Sequence, residues 1–292
     1  MSLRIATNTH KCRYIIVIAA AVLLLSAFLW LSTVLTEPYA HIYPDYQKVD
    51  LTATLSKASL SPDDYSLLYY QTGLGSAAID ELRALYPDYS QSIIQIQDNF
   101  FKNIKIVCEK ISPITWEESV VDKSGSYVEG TVLATPHNGD ILLTKCSHTF
   151  GWRNGHAALI VDSANGYTLE SIVLGTDSCL QDISKWTNYP NFIHLRLKNS
   201  SQDVLNDVVK LAMNKLASVP YDLTTGIFSP KYEKADNIRR TYCSHLAWEA
   251  FRLFDYDLDS NGGAIVTPRD IANSPKLEVV QIFGVDPDNI WP

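Results

Sequence analysis

Residues 155–171 read GHAALIVDSANGYTLES, and the fold turns on them. His156–Asp162 is an apolar run of strand length, opened by Gly155. Asn165-Gly166 follows, a pair that tolerates the left-handed backbone of a tight hairpin turn. Tyr167–Ile172 (YTLESI) then reads as a second, antiparallel strand. On either side, Asp140–Lys145 (DILLTK) and Phe192–Leu197 (FIHLRL) are further short runs of strand character. Beyond them the period changes. Val204–Ala217 has helical spacing, and Ser244–Phe254 places Leu246, Ala247, Ala250, Phe251 and Phe254 on one helical face. Strands grouped before helices imply an α+β fold, a small antiparallel sheet or partial barrel packed on helices, rather than alternating α/β.

Upstream of Gly130 the pattern is helical. Ser61-Pro62-Asp63-Asp64 is a helix start, with a capping serine and proline at the first position. Ala77–Leu85 and Gln91–Ile111 continue with helical spacing, the second through Ile93, Ile94, Ile96, Phe100 and Ile104. Residues 51–128 are therefore expected to form a helical section, joined through a linker at 36–50 to what precedes it.

What precedes it is Tyr14–Leu35, 22 residues without a charge. At about 1.5 Å per residue this spans about 33 Å, enough to cross a hydrocarbon core. A cleavable signal peptide has a shorter apolar region and a small-residue cleavage site, which Pro38 and Ala40 match poorly. Cys12 precedes the run, so a lipoprotein reading fails. The expectation is an uncleaved signal anchor at 14–35. Residues 1–13 carry Arg4, Lys11 and Arg13, and Glu37, Asp45 and Asp50 follow the run. The positive-inside rule then puts 1–13 in the cytoplasm and the rest outside.

The formal net charge of −8 excludes the basic footprint that non-specific nucleic-acid binding needs. Five cysteines in 292 residues are no disulfide framework, although one bridge among Cys108, Cys146 and Cys179 is open. No spacing suits zinc, and no glycine-rich phosphate loop is present. Asp257–Gly263 resembles the front of a calcium loop, but Pro268 stands where the distal glutamate belongs.

Cys243 is the sharpest chemical candidate. It opens the last amphipathic helix, with Thr241 as the expected cap, and the helix N-terminus favours a thiolate and an oxyanion. His156, at a strand end, suits a proton acceptor for that thiol. A third group must orient the imidazole, and Glu170 on the next strand is the candidate. There is a difficulty. A regular hairpin closed at Asn165-Gly166 pairs Val161 with Glu170, on the face opposite His156. Glu170 therefore requires a bulge or an odd loop, and Asp162 and Ser171 remain alternatives. Trp152, Tyr221 and Tyr242 are candidates to line the cleft.

Taken in order, several pieces resemble one family: Gly139-Asp140-Ile141-Leu142, Gly155–Val161, Leu169-Glu170-Ser171, Pro220-Tyr221-Asp222, Tyr242–Trp248 and Thr267–Ala272. The chain is similar over about 130–285 to the permuted papain-like amidases of the YaeF/YiiX type, within the NlpC-like cysteine hydrolases. Helices 51–111 resemble what precedes this domain in membrane-anchored bacterial members. The resemblance implies a permuted papain-like domain over 129–292, in which the sheet and its histidine come before the cysteine helix. It implies Cys243 as nucleophile, His156 as base and Glu170 as the third residue, with no metal or organic cofactor. Asp140 would shape the turn into its strand, and His245 departs from the family's usual Glu, Gln or Lys. Three functions follow as expectations: an amidase or peptidase on cell-wall peptide, a lipid acyl hydrolase or acyltransferase, and a non-catalytic binding module.

Overall fold

The computed structural model describes residues 2–36, 39–232 and 238–292. Glu37 and Pro38, which enter the linker and anchor readings above, lie outside the described residues. The chain opens with helix α1 (Ser2–Thr36) and a single turn, α2 (Thr52–Leu55). Next come α3 (Pro62–Thr72), α4 (Ser76–Leu85) and α5 (Tyr89–Phe100). Strands β1 (Lys105–Lys110), β2 (Thr115–Val121), β3 (Ile141–Thr144), β4 (Ser147–Thr149), β5 (His156–Asp162), β6 (Tyr167–Glu170) and β7 (Cys179–Asp182) follow. A 3-10 helix (Ile183–Asn188) leads into β8 (Phe192–Leu197). The chain ends with α6 (Gln202–Lys215), α7 (Cys243–Arg252), α8 (Pro268–Ala272) and β9 (Leu277–Phe283).

The result is a mixed α+β fold with antiparallel sheets. Six strands run in the order β7-β6-β5-β3-β8-β9, and β1-β2-β4 form a smaller sheet. Central β5 is buried from His156 to Val161, so it reads as a continuous apolar run rather than an alternation. Helices α6 and α7 pack on β5 and on each other. Leu159, Ile160, Leu246 and Phe251 are fully buried there, each contributing about 1.5–3 kcal/mol of hydrophobic stabilisation. A second core joins α3, α4 and α5 to Val280 of β9.

Local chemistry explains the boundaries. Ser61 and Asp64 form a reciprocal capping box with Pro62 in the first turn, and Thr267, Pro268 and Asp270 repeat the device for α8. The helix expected over Gln91–Ile111 instead ends at Phe100. Residues 105–110 pair edge to edge with β2, and Val107 and Cys108 favour strand over helix. Section 51–128 is thus helical to Phe100 and stranded beyond. Cys108, Cys146, Cys179 and Cys243 are all free, so no bridge joins the first three. Helix α1 holds a stretch, Arg13–Leu35, long and apolar enough to cross a membrane or to serve as a signal sequence.

Candidate active site

Strand β5 delivers His156 from a constrained entry. Gly155 has φ +72°, and a Cβ there would lie 2.5 Å from the Thr144 carbonyl oxygen. Helix α7 begins at Cys243, with Tyr242 as the cap residue and no side-chain cap. This corrects the expectation for Thr241, whose hydroxyl instead meets His245 Nδ1 at 3.0 Å. His245 also binds the Lys231 carbonyl, turned away from the thiol. Without a side-chain cap, the helix dipole acts on Cys243 directly.

Glu170 reaches the face of His156 because the hairpin is not regular. Asp162 pairs with Tyr167, so the turn is longer than Asn165-Gly166 alone, and pairing resumes at Ile160 with Thr168 and Leu159 with Leu169. Lengthening the turn preserves parity. The bulged Val161 changes it. Continued by one step, the register sets Glu170 opposite Ala158, two residues from His156 and on the same face. His156 Nε2 donates to Glu170 Oε2 at 2.6 Å.

The carboxylate is fully buried and fully used. It accepts from the Lys185 ammonium (2.6 Å), the Thr168 hydroxyl (2.6 Å) and the Trp186 indole N–H (3.0 Å) as well as His156. Burial opposes its charge, but Lys185 and His156 outweigh burial and hold it at about 2. An ionised carboxylate only accepts, so Nε2 of His156 carries hydrogen and Nδ1 is left for the thiol. The ring stacks on Trp186 with centroids 5.8 Å apart and planes 15° apart.

The His156 imidazole acts on the Cys243 thiol, and the thiol acts on the imidazole in turn. Burial disfavours the thiolate, yet the neighbouring His156, with the Ser244 N–H and hydroxyl, outweighs burial and brings the thiol below its ordinary range. Burial likewise disfavours the imidazolium, but Cys243 and Glu170 outweigh it and raise His156 to about 10. Both shifts run toward the charged forms, the direction in which a thiolate–imidazolium pair would be held.

Trp152, Tyr221 and Tyr242 line one cavity of about 370 Å³ together with Cys243. The Tyr242 hydroxyl accepts the Val266 N–H at 2.8 Å and fixes one wall. A larger cavity of about 610 Å³ shares Trp152, Asn154, Ile265 and Thr267 but not Cys243, and buried His156 lines neither cavity. The alternatives to Glu170 fall elsewhere. Asp162 binds Asn165 in the turn, and Ser171 makes no bond to His156. Asp140 is buried under His194 and Arg196 and accepts the His137 N–H, which is a structural role. Asp257 and Asp259 bind Trp248 and Lys231 and so brace the acidic turn. Lys185, Trp186 and the residues of α1 that reach the cavity, Leu25 and Leu29, were not foreseen. Thr168 could have been, two residues from Glu170 on one strand face.

No family model matches this chain, and no curated protein does. Among solved structures, a distant likeness is to the metalloprotein yiiX of Escherichia coli O157:H7. It has 12% identity and a TM-score of 0.40, covering 50% of this chain and 97% of that one. Among the described residues, no group of three or more His, Cys, Asp and Glu is placed to hold a metal ion.

Proposed function

We propose that this chain is a membrane-tethered cysteine hydrolase of the amidase or peptidase type, working through a thioester. Residues 129–292 form its permuted papain-like catalytic domain, and α1 anchors that domain on the outer side of a cell membrane. The observation that carries the reading is the bond from His156 to the buried Glu170, with the imidazole beside Cys243 and lowering its thiol. Cys243 attacks the carbonyl carbon of an amide or ester, and His156 Nδ1 passes its proton to the departing nitrogen or oxygen. Water then gives a proton back to His156 and cleaves the thioester, releasing the acid and restoring the thiolate–imidazolium pair. Cell-wall peptide is the substrate that the family resemblance suggests. The apolar lining around Cys243 favours an acyl lipid.

The test is direct. The full chain is incubated with cell-wall peptides and, separately, with phospholipids, then quenched in acid. Mass spectrometry should find an acyl adduct on the Cys243 peptide that hydroxylamine removes. His156→Ala should slow its formation by about 10²–10⁴-fold, the usual contribution of a general acid–base group. No adduct from either substrate class would favour a non-catalytic binding module.

A further inference from the structure

The membrane helix and the catalytic cysteine meet in one cavity. Leu25 and Leu29 of α1 line it beside Cys243, with Phe150, Trp152, Leu223 and Ile227. Apart from Cys243, no Asp, Glu, Lys, Arg or His side chain lines it among the described residues, so the carboxylate or ammonium groups of a polar substrate would find no fixed ionic partner there. The contact with α1 is continuous. Ser26 and Trp30 adjoin Phe150 and Gly151, and Thr33 accepts the Arg153 N–H at 2.9 Å. Ser26, Leu29 and Thr33 follow helical spacing, so one stripe of α1 lies along the 149–153 loop.

Depth follows from the same contacts. Leu25 precedes Leu35, the end of the apolar stretch, by ten residues, about 15 Å along a helix. A cavity walled by Leu25 and Leu29 therefore opens at the level of one leaflet when α1 spans the bilayer. Its rim is built for that level. Ile227, 56% exposed, lines it with exposed Leu223, Phe150 and Trp152, and Phe228, 86% exposed, is next to Ile227 in the chain. Contiguous exposed apolar side chains mark a contact surface, and aromatic ones suit a membrane interface.

We infer that this rim is seated in the outer leaflet and that the Cys243 cavity admits the acyl chain of a lipid sideways from the bilayer. The inference rests on the hydrolase reading and on α1 as an anchor. It names the substrate class: an acyl lipid whose ester or amide carbonyl stops at Cys243. The acyl group moves from the lipid oxygen or nitrogen to sulfur, and the leaving group takes the proton of His156.

The test uses the full chain in phospholipid vesicles with two thiol alkylators, N-hexadecyl and N-methyl chloroacetamide. In each, the thiolate displaces chloride from the methylene carbon. The ratio of their labelling rates at Cys243 reads the acyl site, since a general change in thiol reactivity cancels. We expect the hexadecyl probe to react more than about tenfold faster, because a few buried methylenes suffice for that factor. The ratio should fall toward one in Leu29→Gln and in Phe228→Asp. A ratio near one in the wild type, with both probes labelling below neutral pH, would overturn the acyl site and leave the thiol–imidazole pair intact. A high ratio unchanged in both variants would reflect partition of the probe into vesicles and would also overturn it. Labelling by neither probe would remove the hydrolase reading on which the inference stands.

Discussion

Glu170 shows how one residue's burial decides its role. A buried carboxylate is costly unless every lone pair is used, and here Lys185, Trp186, Thr168 and His156 use them. Replacing it with Gln leaves the Lys185 ammonium and the imidazole beside a neutral amide. Glu170→Gln should destabilise the fold by about 3–5 kcal/mol in urea unfolding near neutral pH, as expected when one partner of a buried pair is lost. The sign with pH is set by the lowered pKa. The stability that Glu170 contributes is present above its ordinary 4.5 and is lost as pH falls through about 2. The variant's stability should therefore fall less steeply over that window. A wild-type slope in the variant would place the stabilisation elsewhere. Cys243 and His156 were legible as residues because their types and places, a helix start and a strand end, have chemical meaning. Lys185 and Trp186 were not, because nothing in a lysine–tryptophan pair on a short 3-10 helix tells which carboxylate it will meet.

At the scale of elements, the hairpin holds the lesson. Asn165-Gly166 signalled a turn correctly, but a turn signal does not set the register. The bulge at Val161 does, and a single apolar residue among apolar neighbours leaves no trace in the pattern. Capped helices were readable: Ser61 opens α3 as its chemistry dictates. Residues 104–111 were misread because apolar spacing in short runs fits helix and strand alike, and pairing with β2 decided the matter. The strand that carries His156 depends on its entry glycine. Gly155→Ala would place a Cβ against the Thr144 carbonyl and the Trp291 ring at positive φ. It should lower stability by about 1–3 kcal/mol and abolish the low-pH reactivity of Cys243 by displacing the imidazole. Gly125, also at positive φ but facing open space, is the control. Gly125→Ala should leave that reactivity intact. Equal effects of the two substitutions would show that entry geometry does not position His156.

At the scale of the molecule, the fold's work is convergence. Two adjacent strands, a late helix and the 3-10 helix bring Cys243, His156, Glu170 and Trp186 into one buried cluster, and α1 closes one side of the cavity. The order of these segments along the chain was legible, since strand and helix periods differ. The contact of α1 with the cavity was not, because an apolar run announces a membrane and not which protein face it will touch. The central claim is the charged pair. Its direct measurement is the rate of iodoacetamide alkylation at Cys243 across pH, in the wild type and in His156→Ala. The wild type should react as a thiolate below the ordinary thiol range, and the variant's profile should move up into that range, near about 8.5. Identical profiles for the two proteins would contradict the pair, and with it the chemistry assigned to this site.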